Sequence, residues 1–124
     1  MIKPTIFVLW TIFLLGLLLA PIGDIEKWQF LGFKHWDKVG HFILFGVTGF
    51  VYIWSASYFK TITVRTLFAL MLSSFLAMVT EGLQRFVART PAFCDLLADI
   101  AGLLSGILIF VLLEVRNKCR YVQK

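Results

Sequence analysis

The chain has 124 residues, of which 60% are hydrophobic, with twelve Lys and Arg against seven Asp and Glu. Its mean hydropathy is +0.88. A soluble domain this small exposes most of its residues and could not hide so much apolar surface, so the composition excludes an ordinary soluble fold. The net charge of +5 is no nucleic-acid signature, because the basic residues stand at the ends of apolar runs, where they anchor spans and set orientation.

About 20 helical residues cross about 30 Å of hydrocarbon, and four runs are long enough to be drawn as spans. They are 5–22, 39–59, 66–86 and 96–115, which predicts an all-α, polytopic four-helix bundle in a single domain, 1–124. Lys3 followed by an apolar run resembles a secretory signal, but Pro21 directly after Ala20 disfavours cleavage and predicts an uncleaved anchor. Gly16 and Ala20, four apart, are either a close-packing face or ordinary small residues. Between the first two runs, Trp28, Phe30, Phe33 and Trp36 match an interfacial aromatic belt, so this loop is expected on the membrane surface.

Orientation follows from Lys and Arg. Lys3, Lys60, Arg65, Arg116, Lys118, Arg120 and Lys124 fall on one side; Lys27, Lys34, Lys38, Arg85 and Arg89 fall on the other. The seven-to-five excess predicts a multi-pass protein of the cell membrane with both termini cytoplasmic. Cys94 then faces outward and Cys119 inward, so the two do not pair.

In this topology three stretches deliver polar groups to the outer ends of spans. Asp37, Lys38 and His41 open the second. Glu81, Gln84 and Arg85 close the third, with Arg89 in the loop that follows. Asp95 and Asp99 open the fourth. Helical spacing puts Asp37 with His41 on one face, and Glu81 with Gln84 and Arg85 on another. Asp95, Asp99, Gly102 and Gly106 form one stripe, acidic near the surface and glycine-rich deeper, where G-x-x-x-G admits a close neighbour. An ionisable group inside a span costs roughly 2.5–3.5 kcal/mol and calls for partners. Glu81 is expected to pair with Arg85 or Arg89, and His41 with Asp37, Asp95 or Glu81. Against a common site stand blander roles: Asp95 and Asp37 as helix caps, Lys38 and Arg85 as headgroup anchors, and Glu81 in a structural salt bridge.

"DKVGHFILFG" followed by "EGLQRFVARTPAFCDLLADIAGLLSG" resembles the VanZ-like membrane protein family. Asp37, Lys38 and His41 match its first motif. Glu81, Gln84, Arg89, Asp95, Asp99, Gly102 and Gly106 match its second, so the likeness runs from Asp37 to Gly106. Members often carry Asn where Asp99 stands, and the gap from Gln84 to Arg89 is one residue shorter than the usual pattern. The family is named for low-level teicoplanin resistance, so the resemblance implies a place, the envelope, and a phenotype rather than a reaction.

Three functions compete. The first is an outward-facing site for a lipid-linked or anionic envelope headgroup, with Arg89 and Lys38 engaging it and Asp37, Gln84 and Asp99 contributing; its partners are membrane lipid, not nucleic acid. The second is an enzyme with His41 or Glu81 as general base and Asp95 and Asp99 as orienting partners. No cofactor is expected, with a divalent metal on Glu81, Asp95, Asp99 and His41 as the alternative. The third is an accessory subunit in which the polar cluster fixes helix packing.

Overall fold

The computed structural model describes residues 2–19, 36–84, 86 and 93–122, and all further structural statements concern these. Four helices follow one another: α1 (Ile2–Leu19), α2 (Trp36–Ser55), α3 (Ile62–Gln84) and α4 (Phe93–Val122). A single turn of 3-10 helix, Ala56–Tyr58, ends α2, and no strand occurs among the described residues. The fold is all-helical, as its composition predicts. Three helices are long and apolar enough to cross a membrane, over Lys38–Tyr58, Ile62–Leu83 and Phe93–Arg120; the apolar stretch described in α1, Lys3–Leu19, is shorter.

Local chemistry explains the boundaries. Pro4 sits in the first turn of α1, where its missing N–H is not needed. α4 outruns the predicted 96–115 by two turns at its far end. Hydropathy falls at Glu114 and Arg116, but no Gly or Pro follows, so backbone hydrogen bonding continues through the polar tail.

Side-chain bonds between helices define the topology. Lys3 Nζ donates to Ser57 Oγ (2.7 Å) and Trp10 Nε1 to Thr48 Oγ1 (2.9 Å), so α1 runs antiparallel to α2. Thr11 Oγ1 and Tyr52 OH share a bond at 2.7 Å, and Phe7 stacks on the Tyr52 ring at 4.6 Å. Arg65, at the start of α3, meets Glu114 near the end of α4, so α3 and α4 are antiparallel. Lys38 near the start of α2 bonds Asp95 near the start of α4, so α2 and α4 run parallel, and α2 packs most extensively against α4 while also meeting α1 and α3. Its Phe45, Tyr52 and Ile53 form the core with Leu14 and Leu18 of α1, Ala69, Leu76 and Ala77 of α3, and Leu103 and Ile107 of α4.

The outward faces of the other helices are apolar: Leu9, Ile12 and Phe13 on α1, Met71, Phe75 and Met78 on α3, Leu104, Leu108 and Leu112 on α4. In water such faces would be unstable; in hydrocarbon they need no cover. Gly16 presents open space, so it is not a close-packing position among the described residues. The segment from Ala20 to His35, including Trp28, Phe30, Phe33 and the Ala20–Pro21 junction, lies outside the described residues.

Candidate functional site: a polar and glycine seam between two parallel helices

α2 and α4 meet along one line. Near its start, Lys38 Nζ donates to Asp95 Oδ1 at 2.9 Å. One turn deeper, His41 Nδ1 lies 2.8 Å from Asp99 Oδ1. The two pairs differ in setting. The Lys38 side chain is 37% exposed and Asp95 11%, whereas His41 and Asp99 are 6% and 3% exposed.

Below the charged rungs the helices touch backbone to backbone. A Cβ on Gly102 would strike the Phe42 carbonyl, and one on Gly106 the Gly46 carbonyl. On α2, a Cβ at Gly49 would lie 2.6 Å from the Leu103 carbonyl oxygen, and one at Gly46 3.4 Å from that of Gly102. At Gly102 and Gly106 only a hydrogen fits, which gives Cα–H···O contacts worth about 0.5–1 kcal/mol each. Close approach of this kind replaces the hydrophobic drive that lipid does not supply.

His41 thus bonds Asp99, which was not among its expected partners, while Asp95 is engaged by Lys38. The reason is depth. In parallel helices whose starts are level, His41 lies one turn in, level with Asp99, and Lys38 lies higher, level with Asp95. Glu81 is half-buried near the end of α3, at the same end of the bundle. The side chains of Asp37 and Gln84, together with Arg85 and Arg89, lie outside the described residues. No group of three His, Cys, Asp or Glu side chains that could hold a metal ion occurs among the described residues, so His41, Glu81, Asp95 and Asp99 do not gather as a ligand set.

Two features lay outside the sequence reading. One is the α2 half of the seam: Lys38, Phe42, Gly46 and Gly49 fall at i, i+4, i+8 and i+11, a stripe that complements Asp95, Asp99, Gly102 and Gly106. The spacing was available; it passes through Phe42, whose carbonyl rather than side chain makes the contact. The other is a clasp at the opposite end. Arg65 donates through Nε to the Phe59 carbonyl (2.8 Å), through Nη2 to that of Ser57 (3.3 Å), and through Nη1 to Glu114 Oε1 (3.3 Å). It satisfies carbonyls that the end of α2 leaves open. Comparisons with protein-family models, with curated proteins and with solved structures find no match to this chain.

Proposed function

We propose that this chain is a four-span protein of the cell envelope, VanZ-like in its motifs, whose seam end binds the anionic headgroup of a lipid-linked envelope component. The observation that carries this reading is the contrast between the rungs. A buried His41–Asp99 pair underpins a Lys38–Asp95 pair that is partly open at the helix start, where headgroups lie. An ammonium offers three donors, and Asp95 holds it in place. Arg89, from the loop before α4, would supply the forked partner for phosphate. The short α1 is taken as the fourth span because its outward face is apolar and its hydrogen bonds to α2 lie along the length of that span.

The test is binding of a polyprenyl pyrophosphate to the purified protein in detergent, read as an upward shift in unfolding temperature. Lys38→Gln and Arg89→Gln should leave the level of folded protein intact and remove the shift. An undiminished shift in both variants would refute the reading.

A second reading has its own support. Both described pairs cross the α2–α4 seam directly above the glycine contacts, as they would if their task were to lock the helices. In that case no pyrophosphate shift occurs in the parent protein, and Asp95→Ala lowers the amount of folded protein.

A further inference from the structure

The end of the bundle opposite the charged rungs carries an excess of positive charge that the described residues do not neutralise. Lys3, Lys60, Arg65, Arg116, Lys118 and Arg120 stand there against a single described acid, Glu114. That acid is already engaged by Arg65 (3.3 Å) and Lys118 (3.4 Å). Lys3 bonds Ser57 and lies 5.3 Å from the Trp54 ring centroid. Lys60, Arg116 and Arg120 are exposed and have no acidic partner among the described residues. Arg116 and Arg120 are four apart and share a face of α4.

Depth decides what meets them. α4 has 30 residues and is therefore about 45 Å long, close to a bilayer with both headgroup layers and well beyond the roughly 30 Å of hydrocarbon. With Asp95 at one hydrocarbon boundary, about 20 residues bring the helix to Val115 at the other. The next two turns, with Arg116, Lys118 and Arg120, then stand in the headgroup layer. The aromatic cluster of Tyr58, Phe59 and Phe68 lies at the same end, with Tyr58 exposed. Such rings belong to a membrane interface.

We infer that Lys60, Arg116 and Arg120 form a binding rim for anionic phospholipid headgroups of the leaflet facing this end. The rim is separate from the proposed pyrophosphate site, and the inference does not depend on it.

The test is native mass spectrometry of the full chain released from micelles holding equal amounts of phosphatidylglycerol and phosphatidylcholine. The parent protein should retain phosphatidylglycerol in preference. A basic residue near a charged membrane surface is worth roughly fivefold in binding, and each neutralisation among Lys60→Gln, Arg116→Gln and Arg120→Gln should lower the preference by about that factor or less. Raising the salt on the parent protein should lower it too, a readout that needs no variant to fold. Equal retention of the two lipids by the parent protein, or an undiminished preference in the triple variant or at high salt, would overturn the rim.

Discussion

Gly106→Ala probes the seam at its tightest point. The added methyl would meet the Gly46 carbonyl oxygen and carbon, with Gly46 Cα at 3.2 Å. All three are backbone atoms, so no rotamer change relieves the clash, and α2 and α4 must part. Overpacking of this kind costs about 1–3 kcal/mol. Losing the Cα–H···O contact adds about 0.5–1 kcal/mol. In the other direction, alanine is the better helix former by about 0.8–1 kcal/mol. The net is a destabilisation of about 0.5–3 kcal/mol. Gly16→Ala supplies the control: its Cβ meets nothing within 4 Å, so only the propensity gain remains and the change should be neutral or stabilising. Unfolding of the two variants and the parent by a denaturing detergent, followed by far-ultraviolet circular dichroism, measures the difference. If Gly106→Ala proves as stable as Gly16→Ala, the backbone contact does not hold the helices together, and the account of the seam is wrong.

A double-mutant cycle of His41→Leu and Asp99→Leu, in the same assay, should show each single change costing about 3–5 kcal/mol and the double change less than their sum, because removing one partner strands the other. Asp99→Asn, whose amide oxygen still accepts from the imidazole, should cost less than Asp99→Leu. Trp10→Phe should cost on the order of 1 kcal/mol through loss of the bond to Thr48, an effect absent when Thr48 is already valine. Cys94 and Cys119 are both exposed and, 25 residues apart on one helix, stand about 37 Å apart. In intact cells an impermeant thiol reagent should therefore label Cys94 and spare Cys119 if both termini are cytoplasmic; the reverse pattern inverts the topology.

The first three helices were legible because their apolar runs end in punctuation the eye can find: Pro21, the polar "KTITVR" stretch and the polar stretch around Pro91. Helical periodicity likewise placed Asp95, Asp99, Gly102 and Gly106 on one face. What it could not give was the partner face. Which helix an i, i+4 stripe meets depends on where neighbouring axes cross, and that is a property of the packed bundle. The bonding of His41 to Asp99 is one consequence. Another is Arg65, which the sequence offered only as a basic residue for setting orientation and which ties the end of α2 to α4. The Trp10–Thr48 and Thr11–Tyr52 bonds were hidden for a different reason. Isolated hydroxyls inside an apolar run usually satisfy themselves on their own helix, and Thr48 also does so, donating to the Leu44 carbonyl at 2.7 Å.

The combination of charged rungs and glycines on one seam has a physical logic beyond either alone. Backbone contact at small residues draws two helices together but says little about register, since glycine stripes can slide by a turn and still meet. The rungs remove that freedom. A one-turn slip of α4 that brought Asp99 level with Lys38 would put His41 opposite Gly102 and carry Asp95 past the start of α2. Two satisfied pairs would become at most one, leaving His41 buried without its carboxylate. A single unpaired ionisable group in a span costs roughly 2.5–3.5 kcal/mol, several times the 0.5–1 kcal/mol of one Cα–H···O contact. The penalty for slipping therefore exceeds anything the glycines could recover by re-pairing. Polar residues contribute most here as specificity, a role well attested for buried polar groups in helix pairs. The proposed headgroup site would add a division by depth: the buried His41–Asp99 rung holds the register, which leaves the more open Lys38–Asp95 rung as the one to meet a headgroup.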